Sequence, residues 1–336
     1  MLRLYKPIQH DIFKLQQMLE HLVCHVWCTA NEDECCEDKL DADFKIVYLA
    51  YGWLKENVDL IYEKFEGLSP VELQKIKEAF LSDNAIENLC NGTIPPVYLD
   101  KLPAIIEEDV KPLLVDFYET LLEKAKVPGT KKDYYEKLIA ANEFKWCPCC
   151  GLIDIEQEDS KYREAFDHYL PKAHYPFASV NFKNLVPLCH KCNSDRKGEK
   201  DPIEGGRKAF YPFATGPHSI TISMKVDKTK DLGNLQAADL AITFTGDKEK
   251  IDTWNALFDI SARYNEKTRA FSKTHLRKIK RRHAGFSAGK AAWTYQDSLD
   301  ELIKDYEFDK YDDKKFLKIP LMEELKNFPE LIEVYG

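Results

Sequence analysis

Two pairs of cysteines, Cys147/Cys150 and Cys189/Cys192, constrain this chain more than any other feature. Thiolates with two residues between them on a tight turn converge on one side, and Gly151 behind the first pair can take the left-handed backbone that such a turn needs. Two such turns supply the tetrahedral sulfur set of one zinc ion. The residues between the pairs, 151–188, outrun the spacing of a simple zinc ribbon, so the insert must itself fold compactly. Cys149 lies inside the first turn and is read as a bystander, because recruiting it would leave Cys147 or Cys150 unmatched.

The insert and the second pair carry hydrolytic chemistry in a fixed order: Phe166-Asp167-His168-Tyr169-Leu170-Pro171, then Asn184-Leu185, then Cys192-Asn193 and Lys197. A carboxylate and a carboxamide suit magnesium, which prefers oxygen ligands and keeps several waters. An imidazole with a reference pKa of about 6.5 is partly neutral at physiological pH and can take a proton from water. Leu152 to Ile155 and Tyr162 to Leu170 are expected to pair as a hairpin ending at Pro171, with a helix starting near Cys192. Adjacent strand residues face opposite sides, so the strand must bend or end at Asp167 and His168.

Cysteine pair, D-H-x-x-P, N-L-x-P-x-C and C-N-x3-K, in this order over residues 144–213, resemble the HNH nuclease family and its ββα-metal core. The resemblance implies His168 as general base, with Asp167 and Asn193 as ligands of a catalytic Mg2+ or Mn2+. It further implies that Asn184 holds the loop facing His168, and that Cys147, Cys150, Cys189 and Cys192 bind a structural Zn2+. Lys197, one helical turn after Asn193, shares its face and is read as a phosphate contact or else a solvated lysine. Asn193 stands where the family name implies a histidine. His190 is an alternative ligand but is expected to point outward, and His174 is read as a surface histidine. DNA is the usual substrate of the family, so the implied partner is DNA before RNA. Long helical additions around a small nuclease resemble bacterial mobile-element and phage-defence nucleases that work with an ATPase subunit.

The expected fold class is α+β: an acidic all-helical domain over residues 1–143, a zinc-stapled ββα-metal module over 144–215, and a helix-rich region with a short β-hairpin over 216–336. Asp11 to Cys28 sets Ile12, Leu15, Leu19, Leu22, Val23 and Val26 on one helical stripe. Residues 44 to 65 read as one long helix, Ser69-Pro70-Val71-Glu72 as a capping box, and Ile106 to Lys126 and Lys131 to Asn142 as further helices, the former kinked or restarted at Pro112. Ser219 to Val226 and Leu240 to Thr245 read as paired strands, followed by helices, the last near Gln296 to Tyr306 and Leu321 to Tyr335.

A net charge of −9 looks wrong for a nucleic-acid enzyme until it is divided along the chain. About −10 belongs to residues 1–140, and residues 261–290 are strongly basic. Arg277, Lys278, Lys280, Arg281 and Arg282 lie in that stripe, which is expected to lie along a polyanion. The acidic helices are left as a docking surface for a protein partner. Ten cysteines without a recognisable secretory leader, and no apolar run of membrane-spanning length, point to a reducing cytoplasmic setting without membrane contact. His21, Cys24, His25 and Cys28 follow one another along the first helix, with Cys35 and Cys36 after it, and leave a second metal site open. The competing function class is a catalytically silent zinc-stabilised adaptor or nucleic-acid-binding subunit.

Overall fold

The computed structural model describes residues 1–227, 229–230, 236–288, 293–327 and 330–335. It is α+β, with fourteen α-helices and two two-stranded antiparallel sheets among the described residues. They form two compact units. One comprises Met1, Arg3–Phe144 and Ile155–Gly216, and the other Leu2, Lys145–Asp154 and Pro217–Gly336.

The first unit opens with helical turns from Asp11 to Thr29, with α1 (Lys14–His21) among them. Every residue of the apolar stripe from Ile12 to Val26 is buried. There follow α2 (Cys36–Lys39), α3 (Ala42–Ala50), α4 (Gly52–Glu66), α5 (Pro70–Asn84), α6 (Ile86–Asn91), α7 (Lys111–Glu119) and α8 (Lys131–Asn142). Ser69 and Glu72 close the reciprocal capping box of α5, with Pro70 in its first turn, where a missing N–H costs nothing. The expected single helix over 44–65 is instead two, because Tyr51 is extended (φ −131°, ψ 102°). Gly52, an unfavourable interior helix residue, opens the second of them instead. The break lets Phe44 and Val47 on one helix and Leu54, Val58 and Ile61 on the next all be buried.

After α8 the same unit contains β1 (Phe166–His168) and β2 (Leu185–Pro187), paired antiparallel with Asp167 opposite Val186 and His168 opposite Leu185. The sequence had paired the first strand with Leu152 to Ile155. That stretch makes only an isolated bridge between Trp146 and Asp154, because the turn at Gly151 folds it back on its own cysteine pair. The helix α9 (His190–Cys192) runs directly into a wide helical turn over Asn193–Lys197.

The second unit holds the first cysteine turn. The Gly151 N–H donates to the Cys147 carbonyl at 2.7 Å, and Gly151 has φ +65°. The Cys149 carbonyl accepts from the Leu2 N–H and from Trp254 Nε1 at 3.0 Å, and the Cys150 carbonyl from the Tyr264 hydroxyl at 3.0 Å. A Cβ added at Gly151 would lie 2.6 Å from Leu2 Cδ2 and 2.8 Å from Phe316 Cε1. Gly151→Ala is therefore expected to destabilise the protein by about 1–3 kcal/mol through overpacking alone, with the left-handed backbone adding to the loss. Thermal unfolding checks this, and an unchanged melting temperature would contradict the packing described.

The rest of the second unit is β3 (Thr221–Val226) and β4 (Leu240–Thr245), in register with Met224 opposite Ile242, then α10 (Lys248–Phe258), α11 (Ile260–Ser287), α12 (Tyr295–Phe308), α13 (Lys315–Leu325) and α14 (Glu330–Tyr335). Met224, Val226, Leu240, Leu276, Ile279, Leu299, Leu321 and Met322 belong to its core. The helix expected over Leu321 to Tyr335 is divided between α13 and α14, and its residues 328–329 lie outside the described residues. Among the described residues no helix is long and apolar enough to cross a membrane.

Candidate functional site

The sulfurs of Cys147, Cys150, Cys189 and Cys192 all lie within 4.8 Å of one another, and all four residues are buried. A zinc–sulfur bond of about 2.3 Å places tetrahedral sulfurs roughly 3.8 Å apart, so four buried cysteines this close can hold a zinc ion. In the second pair the N–H groups of Cys192 and Asn193 both donate to the Cys189 carbonyl, closing the turn. In the first, the Leu152 N–H points at Cys150 Sγ at 3.5 Å. Cys149 contributes its carbonyl rather than its sulfur.

Among the described residues this is the only group of three or more His, Cys, Asp or Glu side chains so arranged. The six candidates near α1 do not converge. His21 Nε2 bonds to the Lys39 carbonyl at 2.9 Å, Cys35 is exposed, and Cys24 and Cys36 are buried. Burial pushes the thiols of Cys24, Cys28 and Cys36 up to about 11, 12 and 12, which disfavours the thiolates that metals take.

His168 ends β1, half-buried, with its Nε2 2.9 Å from the Ser179 carbonyl. A carbonyl only accepts, so Nε2 carries the proton and the neutral ring keeps its lone pair on Nδ1. Burial pushes this imidazole down to about 3, with Lys172, Lys197 and Lys131 acting in the same direction and the Ser179 hydrogen bond opposing. The Tyr118 ring meets it edge-on at 4.5 Å between centroids. Neither Ser179 nor Tyr118 was legible in the sequence. One acts through its backbone, and the other arrives from α7, far along the chain.

Asp167, the residue before it, is buried, and Oδ1 accepts from Lys197 Nζ at 3.0 Å. Burial raises the carboxyl above its usual range, and Lys197 opposes that rise. Lys197 Nζ also donates to the His168 carbonyl at 2.7 Å. This lysine therefore faces inward on Asp167, whereas the sequence placed it on phosphate or in solvent. The Nδ2 of Asn193 reaches back to the Ala165 carbonyl at 3.4 Å, which leaves its amide oxygen as the group to face a cation. Asn193 and Lys197 thus address β1 and the residue entering it. His190 is exposed beside Asp195, and His174 is exposed.

Asn184 is fully buried and joins the two ends of the loop after β1. Its Oδ1 accepts from the Leu170 N–H at 2.8 Å, and its Nδ2 donates to the Leu170 carbonyl at 2.9 Å. That loop is gripped from the helices as well. The Phe177 carbonyl accepts from Asn84 Nδ2 at 3.2 Å and Gln16 Nε2 at 3.5 Å. Ser179 Oγ donates to the Leu114 carbonyl at 3.0 Å, and Asn181 Nδ2 to Asn84 Oδ1 at 2.9 Å.

The Asp167–Lys197 pair is shut away from water, with side-chain exposures of 3% and 0%. Removing one partner of such a pair strands the other charge. Lys197→Met is expected to cost about 3–5 kcal/mol, and adding Asp167→Asn should recover much of it. Urea unfolding of the two single variants and the double variant measures the coupling, and strict additivity would show that the pair is not formed.

The basic residues form a separate matter in the second unit. Arg277, Lys278, Lys280, Arg281 and Arg282 are all exposed on α11. Lys280 Nζ donates to the Glu333 carbonyl, and Arg282 lies 3.6 Å from Asp305. Arg263, also within residues 261–290, is buried with NH1 on the Phe258 carbonyl and serves the fold.

Comparison with known proteins gives partial likenesses. Residues of this chain are 33% identical over 115 positions to the protein ea31 of Escherichia phage lambda, covering 34% of this chain and 36% of that protein. They are 43% identical over 66 positions to the Septu protein PtuB of Bacillus thuringiensis, covering 18% of this chain and 23% of that protein. No family model and no solved structure matches the chain. The chain thus spans about a third or less of the length of the curated relatives it matches, sharing one segment with a phage protein and one with a Septu protein.

Proposed function

We propose that the chain is a metal-dependent HNH endonuclease that hydrolyses phosphodiester bonds, in DNA before RNA, and that it serves phage defence beside an ATPase partner. The observation that carries the reading is the fixed ring of His168. Its proton is held on Nε2 by the Ser179 carbonyl, while Asp167 precedes it on β1 and Asn193 bonds to the residue entering that strand. Residues 144–215 are the nuclease module of this reading. The likeness to the Septu protein PtuB supports the defence setting.

The residues fit the magnesium or manganese that the family implies. Asp167 Oδ2 is buried without a hydrogen-bond partner, and the Asn193 amide has its nitrogen engaged and its oxygen left over. Those two oxygens would hold the ion. When bound, it supplies Lewis-acid polarisation of the phosphoryl group and charge stabilisation at the leaving oxygen. The Nδ1 of His168 accepts a proton from water, whose oxygen then bonds to phosphorus as the P–O bond to the leaving sugar oxygen breaks. Asn184 keeps the loop closed and so keeps Ser179 against the ring. The four cysteines hold a structural zinc.

The test uses full-length zinc-loaded protein dialysed free of magnesium and manganese and then returned to either ion. Supercoiled plasmid, linear duplex, single-stranded DNA and RNA are offered separately. Nicking or cutting of at least one with the added ion, and of none without it, is expected. Metal-independent cutting, or none of the four cut, overturns the proposal.

A further inference from the structure

One face of α11 and the chain entering α13 enclose a cleft of about 270 Å³ in the second unit, whose lining shares only Lys278 with the residues assigned above. Lys267, His275 and Lys278 line it from α11, and Asp313, Lys314 and Lys318 from the other side. Four ammonium groups thus meet one carboxylate. Asp313 pairs with Lys318, Lys267 lies 3.8 Å from Glu266, and Lys314 lies 4.8 Å over the Trp146 ring, so the cleft keeps a positive excess. Asp313 and Lys314 both hold left-handed backbone, at φ 45° and 57°. For residues with side chains this costs of order 1 kcal/mol each, and here it precedes the amide-rich first turn of α13.

His275 is the independent sign of a ligand. It is 3% exposed, and its Nε2 is buried without a hydrogen-bond partner. Leaving such a group unmatched costs about 1–3 kcal/mol, which a ligand with an acceptor oxygen would recover. Burial, then Lys318 and Lys278, push this imidazole down to about 3, so the ring is neutral and carries one N–H. The cleft lies below the roughly 300–1,000 Å³ of pockets that swallow drug-sized molecules, and matches one tetrahedral oxyanion better than a nucleoside. Exposed Arg277 and Arg281, one turn of about 5.4 Å apart, continue the positive charge along α11.

We propose that this cleft seats one phosphate group of a nucleic-acid strand laid along α11. The proposal rests on the reading that the chain acts on nucleic acid, and it adds a holding site remote in sequence from the cutting residues. The probe is a fluorescent single-stranded DNA oligonucleotide, followed by anisotropy against full-length zinc-loaded His168→Ala without added magnesium or manganese, so that nothing is cut. Into that background go Lys267→Gln with Lys278→Gln, or, as a charge-matched control, Lys248→Gln with Lys304→Gln, exposed elsewhere in the unit.

The cleft pair is expected to weaken binding about tenfold and to flatten the salt dependence by roughly one phosphate contact, a slope change of ~0.7. The control pair should leave both near the parent values. Equal losses in the two pairs, no loss in either, or no binding by the parent would overturn the proposal. So would inorganic phosphate raising the melting temperature of the parent but not of the cleft pair while oligonucleotide affinity stays equal, since the site would then take free phosphate. Cutting by the otherwise unaltered chain in magnesium is scored separately and distinguishes failure of the cleft from failure of the nuclease reading.

Discussion

Full-length His168→Ala is expected to cut nucleic acid at least about 10²-fold more slowly than the parent, the usual scale for loss of a general base. Its melting temperature should stay within a few degrees, because the ring makes one hydrogen bond to Ser179 and one aromatic contact to Tyr118. Cutting and melting measured on one preparation separate chemistry from folding. Unchanged cutting would remove His168 from the mechanism, whatever the metal requirement. The pH profile carries a second sign. In the proposed mechanism the active form is the deprotonated ring, held down to about 3, so the acid limb should fall well below the ordinary histidine value of about 6.5. The same depression affects stability. The contribution of this ring is fully present above pH ~6.5 and is lost as pH falls toward the folded value of about 3.

Loss of a cysteine ligand should have the largest effect on folding. Structural zinc contributes about 10–16 kcal/mol to the folding of small zinc modules, comparable to the whole stability of a domain. Cys189→Ser is accordingly expected to yield protein without the cooperative melt of the parent, and a strong chelator should lower the melting temperature of the parent by tens of degrees. Elemental analysis should return one zinc per chain. A chain purified free of zinc, with Cys189→Ser melting as the parent does, would rule out the metal and leave four thiols packed in a core. Cys149→Ser should retain the zinc, since that residue serves the turn through its carbonyl.

What the sequence disclosed was what depends on short range. Cysteine spacing, the glycine behind the first pair, the capping box at Ser69 and the alternation in β3 are all local, and each reappears in the structure. The strand that pairs with Phe166–His168 was misread because Leu152 to Ile155 and Leu185–Pro187 are both mainly apolar, and the closing of the turn at Gly151 removes the first from competition. Lys197 was placed one helical turn after Asn193, yet whether its side chain meets solvent or Asp167 depends on burial, which spacing does not encode. The Gln16, Asn84 and Leu114 contacts to the loop join residues scores of positions apart and leave no pattern to read.

Those last contacts give the helical part of the first unit a role that its sequence alone does not announce. The loop bearing the Ser179 carbonyl is moored to α1, α5 and α7, and a hydrogen bond stretched by an ångström is largely lost. A subunit that leans on those helices therefore has a mechanical line to the imidazole, and need move it by no more than a bond's slack. If the chain is the nuclease proposed above, its dormant and armed states can share one fold and differ only in the tension on that mooring.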